Sequence, residues 1–451
     1  MSDNPVCVLW IRQCLRTADN PALARAAETG LPVLPVYIWA PDEEAPWAPG
    51  SASRWWLHHS LTELSRQYQA LGLPLLIRKA ATAHEALTTL IPQTRIARVI
   101  YDLRWEPAAL AQAQAVENHL TRENIACQGI NTNYLFQPAA VRKSDNTPYK
   151  VFTPYWRACM QHIGRPPARL QPAGIKAPEG LPESLCVGDL NLLPRLSWAD
   201  GFHNHWVPGE TGAQERLQAF ICQAVDRYAK ERDRPDHDGV SKLSPFLHFG
   251  EVSVQDIRRA LYQTQEGLST GSREAFFRQL IWREFANQLL AHFPETPDQP
   301  LNDKFARFPW KSNPVHLKAW QRGETGYPIV DAGMHQLWQT GWMHNRVRMV
   351  AASLLTKHLL IPWQEGARWF WDTLVDADLA NNTMGWQWVA GSGADAAPYY
   401  RIFNPTTQQQ KFDPDEHYIQ RWQGHTISSP IVDHAEARGL ALAAYESVKT
   451  R

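Results

Sequence analysis

Short β-branched and aromatic runs alternate with longer helical patterns up to Ile130, and this alternation is the feature that most limits the possible folds. Strand–helix–strand units of this spacing need right-handed crossovers, which place the strands parallel in one sheet. No GxGxxG or P-loop spacing occurs, so the sheet carries no standard nucleotide fingerprint. The predicted strands are Val6–Ile11, Leu31–Trp39, Leu73–Ile77, Ile96–Tyr101 and Ala126–Ile130, and the predicted helices are Asn20–Glu28, Trp55–Leu71, His84–Leu90 and Pro107–Glu123.

A proline-rich stretch separates this region from a helical one. Periodicity fades there, which is typical of a long connecting segment, and beyond it a 3.6-residue apolar period dominates. The helices predicted there are Ala213–Lys230, Val254–Leu261, Arg273–Phe293, His316–Arg322, Pro328–Gln339, His344–His358 and Trp363–Leu374. The sequence therefore predicts an α/β + all-α chain: a Rossmann-like parallel-sheet domain over 1–131, a linker over 132–205 and a helical domain over 206–451.

The composition limits the compartment and the partners. With 451 residues the chain exceeds one ordinary core, and 44% hydrophobic with 20% charged residues is typical of a globular protein. The formal net charge is zero, so contact with nucleic acid requires a local basic patch. The six cysteines lack metal-ligand spacing and indicate reduced thiols. Without a signal peptide or an apolar run of membrane length, we expect a cytoplasmic protein with no metal and no membrane contact.

The segment Asp376–Trp388 combines carboxylates, amides and indoles within thirteen residues. Trp386 and Trp388 are two residues apart, so they point to roughly opposite sides of a strand or helix. Such a segment can contact two neighbours at once, for instance a flat cofactor and a flat substrate. Indoles also anchor cores, but buried polar groups beside them would need partners. The polar members that favour a functional site are Asp376, Asp378, Asn381 and Asn382.

Two further segments admit both a functional and a structural interpretation. Gln279 and Trp282 share one helix face, where an amide beside an indole recognises a base edge or packs in a core. Ser241 and Ser244 lie beside a glycine and ahead of a proline that starts a helix. Their hydroxyls and the backbone amides could hold a phosphate, although a simple helix cap explains the same residues.

A third segment, Gly341–Met349, places Asn345 and Met349 one turn apart on one helix face. Arg346 and Arg348 flank this face. A surface helix with solvated arginines would explain the pattern as well as a binding site does.

Taken together, these segments resemble the photolyase/cryptochrome family, and within it the bacterial class I cyclobutane pyrimidine dimer photolyases. The resemblance runs from residue 6 to about residue 422, and its C-terminal motifs are highly specific. It implies an α/β antenna domain and a helical domain that binds FAD in a U shape. The matching segments are Asp19–Leu23, Thr147–Trp156, Gly239–Gly250, Leu280–Phe285, Thr325–Asp331, Gly341–Met349 and Asp376–Pro405.

The resemblance also assigns the flavin contacts. Asn382 would face flavin N5, where an amide influences which redox form is stable. When excited by light, the reduced cofactor would supply an electron that splits the dimer and then returns. The flavin-contacting residues implied in this way are Tyr228, Val240, Ser241, Lys242, Leu243, Ser244, Trp282, Arg346, Asp376, Asp378 and Asn382.

UV-damaged DNA, single- or double-stranded, is the implied substrate, and photolyases are among the enzymes that take a base out of the stack. Arginines would hold the kinked backbone, while indoles form the walls of the lesion pocket. The implied dimer contacts are Gln279, Trp282, Asn345, Met349 and Trp388; the implied electron-transfer chain is Trp386, Trp363 and Trp310; and the implied phosphate contacts are Arg232, Arg346, Arg401 and Gln408.

The chain departs from the family pattern at several positions. Gln279 stands where class I enzymes usually have Glu; it keeps the shape but not the titratable proton, so we expect reduced repair. Gln is also found there in animal cryptochromes and (6-4) photolyases. Cys14 replaces a carboxylate, from which we expect a local loss of stability, and Val240 replaces a threonine whose role backbone amides can fill. The segment Trp422–Pro430 is shorter than usual.

The leading hypothesis is a monomeric, light-driven repair enzyme for cyclobutane dimers. The alternatives are a cryptochrome-type photoreceptor, a (6-4) photolyase-like protein with weak or no dimer repair, and an inactive flavin-binding paralogue. Asn345, Met349 and Trp388 favour repair, whereas Gln279 favours the alternatives. A second, antenna chromophore is expected between the domains near Glu106, and the residues do not distinguish a folate from a deazaflavin.

Overall fold

The computed structural model describes residues 4–171, 173–262, 271–396, 400–424 and 429–449. The N-terminal part is a five-stranded parallel sheet with strand order β3-β2-β1-β4-β5, which confirms the predicted architecture. The matching segment Asp376–Pro405 and the shortened segment Trp422–Pro430 lie partly outside the described residues. The strands are β1 Val6–Ile11, β2 Val33–Trp39, β3 Leu76–Lys79, β4 Ile96–Asp102 and β5 Ala126–Ile130.

The helices that cover the sheet begin and end at identifiable polar contacts. The Asn20 side chain accepts hydrogen bonds from the backbone amides of Ala22 and Leu23 and so starts the first helix. The second helix starts before the predicted Trp55, because the Ser51 amide donates to Asp372 at 2.8 Å, a contact from the far half of the chain. These helices are α1 Pro21–Ala27, α2 Ser51–Ala70, α3 Ala83–Leu90 and α4 Pro107–Arg122.

The connecting segment contains one regular helix, α5, over Phe152–His162. The first residues of the connecting segment are hydrogen-bonded to both halves of the chain. Arg16, which is 1% exposed, donates to the Thr132 carbonyl at 2.8 Å and to the Asn133 side chain at 2.9 Å. The Glu284 carboxylate accepts from the next backbone amides, at Leu135 and Phe136. Hydrogen bonds from both halves of the chain therefore hold the start of the linker in place.

The remainder of the described chain is helical. Two predicted helices are each divided: Ala213–Lys230 is interrupted by a 3₁₀ turn at Val225–Arg227, and His344–His358 starts one residue later and ends in a π-helix, Leu354–His358. His344 caps the second of these by accepting from the Arg346 amide. The helices are α6 Glu210–Gln223, α7 Tyr228–Glu231, α8 Ser244–His248, α9 Val254–Tyr262, α10 Gly271–His292, α11 Pro314–Arg322, α12 Pro328–Thr340, α13 Asn345–Ser353, α14 Trp363–Thr373, α15 Leu379–Ala390, α16 Pro405–Phe412, α17 His417–Trp422 and α18 His434–Lys449.

One buried apolar cluster crosses from the sheet into the helical part. It joins Leu9 of β1 and Trp56 of α2 to Phe246 of α8 and Phe277 of α10. A second cluster is built mainly from helices α12 to α15 and contains Trp386. Among the described helices, none combines the length and apolarity needed to cross a bilayer. The two halves thus share a core, while the exact domain boundaries at 131 and 205 stay predictions.

Candidate functional site

A buried carboxylate, Asp376, lies between α14 and α15. Its Oδ2 accepts hydrogen bonds from the Ser244 hydroxyl at 2.7 Å and from Arg348 Nη2 at 2.8 Å. Its Oδ1 is buried and has no hydrogen-bond partner among the described residues. An unpaired buried carboxylate oxygen is costly, so this atom fits a donor group of a bound cofactor.

Arg348 is the site residue that the sequence analysis missed. Its Nε donates to the Met343 carbonyl at 2.8 Å, and its Nη2 pairs with Asp376. The alternative in which both arginines are merely solvated does not hold, because Arg346 pairs with Asp233 and Arg348 pairs with the buried Asp376. The sequence did contain a signal for this pair, because a buried Asp376 would need a cation beside it.

Asp378 begins α15 and remains an anion. Its Oδ1 accepts from the amide and the side chain of Asn381, at 2.8 and 2.7 Å. Burial acts to raise its pKa, but His248, whose Nδ1 lies 3.7 Å from Oδ2, together with Arg283 and the Asn381 amide, holds the pKa well below its usual range. Asp378 therefore provides a fixed negative charge next to Asp376.

Helix α8 contacts both carboxylates, through Ser244 at its start and His248 at its end, and a short turn precedes it. Lys242 adopts the left-handed conformation with φ 52°, and its Nζ lies 2.7 Å from Asp238 Oδ1. The Ser241 hydroxyl accepts from the Leu243 amide at 3.3 Å. The Ser244 hydroxyl donates a hydrogen bond to Asp376, so the start of α8 is fixed against this carboxylate. Ser244 therefore does more than cap a helix, whereas the contact of Ser241 is local to the turn, and the phosphate-binding role of this turn stays a prediction.

Arg346, two residues before Arg348 on α13, connects three elements. Its Nη2 pairs with Asp233 at 2.7 Å, just after α7, and its guanidinium lies 4.4 Å from the Phe412 ring centroid of α16. Two predicted phosphate contacts belong to the same neighbourhood, since Arg232 caps α7 and Gln408 lies on α16. Tyr228, at the start of α7, is buried.

Trp282 and Gln279 share one face of α10, as predicted. The Trp282 ring stacks on Phe152, with centroids 3.6 Å apart and planes at 6°. Trp282 remains partly exposed, whereas Phe152 is 1% exposed. The Gln279 side-chain amide donates to the Ala275 carbonyl at 3.1 Å, one turn back in its own helix. Phe152 therefore backs the indole, a contact that helical periodicity cannot reveal.

The other predicted dimer contacts lie on α13 and α15. Asn345 Nδ2 is 3.9 Å from Met349 Sδ, which confirms that the two side chains meet one turn apart. Trp388 is half-buried, and the Arg401 guanidinium lies 5.4 Å from its ring centroid. Trp386 is 3% exposed, so the two indoles of α15 face different surroundings, as their spacing indicates.

The three predicted electron-transfer tryptophans contact one apolar cluster. Trp386 and Trp363 are buried within it, and Trp310 packs against it. The Trp386 indole lies directly on the backbone of α14 at Gly366, where an added Cβ would overlap the ring. Its described ring neighbours are Phe370 at 5.0 Å and Trp320 at 6.0 Å. On the same helix, Asn382 Nδ2 donates to the Ala367 carbonyl at 3.0 Å.

A separate cavity of about 740 Å³, including its open mouth, lies where the carboxyl ends of β1 and β2 meet the helical part. Parallel sheets bind ligands at these ends. Glu106, the predicted antenna contact, pairs at 3.2 Å with Arg104, which lines the cavity and is also held by Glu44. His248 lines the same cavity and so lies between it and Asp378.

Comparison with known proteins identifies the family of the chain. A family model described as DNA photolyase matches residues 7–173, and one described as the FAD binding domain of DNA photolyase matches residues 276–426. A deoxyribodipyrimidine photo-lyase of Agrobacterium fabrum is 41% identical over 98% of each chain. Cryptochrome-2 of Arabidopsis thaliana is 36% identical over 92% of this chain and 70% of its own.

The solved structures show the same fold. The crystal structure of a bacterial class III photolyase from Agrobacterium tumefaciens superposes with a TM-score of 0.94 at 40% identity, covering 100% of this chain and 99% of the other. The class I assignment stays a prediction beside this class III relative. An FAD-binding domain is present, and the unpaired oxygen of Asp376 fits a bound cofactor. The chain belongs to the photolyase/cryptochrome family.

Proposed function

We propose that the protein repairs cyclobutane pyrimidine dimers in UV-damaged DNA with light. The observation that carries the proposal is the Trp282 indole, which remains partly exposed although Phe152 covers one of its faces. A backed aromatic surface is suited to stack on a base that has left the duplex. The similarity to photolyases over nearly the whole chain supports the same conclusion.

The chain's own residues would hold and orient the reactants. FAD, when bound and reduced, supplies the photoexcited electron. Asp376, Ser244 and Arg348 form a hydrogen-bonded group whose free oxygen is available to the cofactor, and Asp378 holds a second negative charge there. Gln279, Asn345 and Met349 would contact the dimer from two helices, while Arg232, Arg346, Arg401 and Gln408 bind phosphates.

The test is light-dependent recovery of thymine absorbance in dimer-containing single-stranded DNA mixed with the reduced protein. We expect repair by the unaltered chain and faster repair by Gln279→Glu, because a carboxyl group supplies the titratable proton that the Gln279 amide lacks. Recovery only in Gln279→Glu would identify a repair fold disabled at one residue. No recovery in either protein would overturn the proposal.

A cryptochrome-type photoreceptor is the second candidate. Gln279 favours it, because the side-chain amide is turned back onto Ala275 and lacks a titratable proton. The similarity to Cryptochrome-2 extends over 92% of the chain. Light-driven reduction of the flavin without any repair of single-stranded or double-stranded dimers would support this alternative.

We also infer that the cavity at the sheet edge binds a second, antenna chromophore, a folate or a deazaflavin. Arg12 is 8% exposed, and its Nη1 lacks a partner among the described residues. Tyr37, Trp39 and Trp371 line the same cavity and supply aromatic surface for a flat ring system. The absorption spectrum of the purified protein, before and after reconstitution with each chromophore, tests this. Failure to retain either one would contradict it. The monomeric state and the cytoplasmic location stay predictions.

A further inference from the structure

Arg278 of α10 is held by two aromatic rings of the linker helix. The guanidinium carbon lies 4.9 Å from the Trp156 ring centroid and 5.3 Å from that of Phe152. Both rings are buried, at 8% and 1% exposure, so they form a fixed surface beneath the cation. An arginine stacked on rings loses little further side-chain entropy when it binds an anion.

The N–H donors of Arg278 have no acceptor among the residues that the structure describes. Within the described parts of the chain, its guanidinium makes no hydrogen bond or ion pair, although the residue is half-buried. The other arginines of α10 differ: Arg273 pairs with Asp226 at 3.0 Å, and Arg283 donates to the Asn133 carbonyl at 2.7 Å. Stacking occupies the faces of a guanidinium and leaves its in-plane N–H groups available for a bidentate acceptor.

Its position places these donors at the rim of the proposed lesion site. Arg278 directly precedes Gln279 and lies one turn before Trp282. Phe152 contacts both, since one ring lies under the guanidinium and stacks on the Trp282 indole at 3.6 Å. A base that stacks on Trp282 would bring its own backbone phosphates to this edge. Arg232, which the family resemblance assigns to a phosphate, is also half-buried. Its side chain has no partner among the residues that the structure describes.

We propose that Arg278 binds a backbone phosphate of the damaged strand beside the flipped dimer, with Phe152 and Trp156 holding its guanidinium in position. This inference rests on the proposed function, because it requires the strand to enter the site next to Trp282. The ligand is a DNA phosphodiester, and the recognition is independent of base sequence.

The test is the salt dependence of binding in the dark. Dimer-containing single-stranded DNA is titrated with the flavin-loaded protein at several salt concentrations, and log Kd is plotted against log salt. Each phosphate contact on single-stranded DNA contributes about 0.7 to this slope. Arg278→Met, which keeps packing on both rings, should lower the slope by about 0.7 and weaken binding roughly three- to fivefold near 0.15 M salt.

Two further variants make the result specific. Arg278→Lys keeps the charge and should retain the slope. Arg66→Gln, at an exposed position on α2 that is not among the predicted DNA contacts, also removes one positive charge and should leave the slope unchanged. An unchanged slope in Arg278→Met, or an equal loss in Arg66→Gln, would overturn the proposal. Retained flavin absorbance shows that each variant is folded.

The outcomes separate this inference from the proposed repair activity. If the unaltered protein repairs dimers but Arg278→Met keeps the full slope, the phosphate contact is wrong and the repair function stands. If the slope falls in Arg278→Met but illumination repairs nothing in the unaltered protein, the contact stands and the repair function is wrong.

Discussion

At the scale of single residues, the site depends on a few buried charges that compensate one another. Arg348 is paired with Asp376, whose second oxygen is left for a ligand, and Asp378 caps α15 by accepting a hydrogen bond from the Asn381 amide. Such pairs contribute little net stability when intact but are costly to break on one side. In this site the pairs fix the direction in which each carboxylate oxygen points.

Arg348→Met should therefore destabilise the protein. The side chain of Asp376 is 3% exposed, so removal of Arg348 leaves a carboxylate buried without its cation. We expect a loss of about 3 kcal/mol in urea unfolding. The double variant Arg348→Met/Asp376→Asn should recover part of it. If the double variant is no more stable than Arg348→Met, charge burial is not the cause.

At the scale of elements, helix contacts rather than helix propensities decide where the site residues lie. The Trp386 ring rests on the α14 backbone, which only a glycine at 366 permits. The C-terminal helix α18 is held at its start by His434, whose Nδ1 lies 2.8 Å from Nε2 of His358 in the π-helix. Both contacts join segments distant in sequence.

Gly366→Ala tests the first contact. The new methyl group would overlap the Trp386 indole, so we expect a loss of about 1–3 kcal/mol from overpacking and slower photoreduction of the flavin. Gly385→Ala on α15 is the matched control, since nothing lies within 4 Å of its added Cβ. The control should be stabilised by about 0.5–1 kcal/mol. Equal effects in the two variants would contradict this explanation.

The second contact predicts a dependence on pH. Burial, reinforced by His434, lowers the pKa of His358 to about 4. The unfolded state then takes up a proton first, so this contribution is present above about pH 6.5 and is lost as pH falls towards 4. We expect about 2 kcal/mol less stability from this group at pH 5 than at pH 7.5. In His358→Gln this part of the pH dependence should disappear, and an unaltered profile would contradict the assignment.

At the scale of the whole molecule, buried polar residues join the sheet to the helical part. Glu251 accepts from Trp56 Nε1 and from the Gly209 amide, both at 2.9 Å, and is 0% exposed. Burial raises its pKa to about 8. The neutral form is therefore favoured in the folded state, and its contribution to stability is lost as pH rises from about 4.5 through 8.

Glu251→Gln should remove that alkaline loss. The amide oxygen can still accept from Trp56 or Gly209, and no proton has to be released. Relative to the unaltered protein, the variant should become progressively more stable between pH 6 and pH 9 in urea unfolding. A constant difference in the free energy of unfolding across this range would show that Glu251 does not titrate there.

Periodicity predicted the sheet and most helices, because one face of each element must be buried. It did not predict where α2 starts, since Ser51 is held by Asp372, nor the π-helix that follows α13. The residue types of the site followed from resemblance to a family. The Arg348 pairing and the Phe152 stack are contacts between distant segments, which neither periodicity nor local spacing contains.

The stack of Phe152 on Trp282 bears on how independent the two domains are. Phe152 belongs to the connecting segment, so the helical domain does not supply all of the proposed binding surface. Expressed without the residues up to His162, it would present Trp282 without the ring that stacks on it and Arg278 without its aromatic support. The connecting segment therefore contributes to the proposed site. A chimera made from two relatives must take this segment and the helical domain from the same parent.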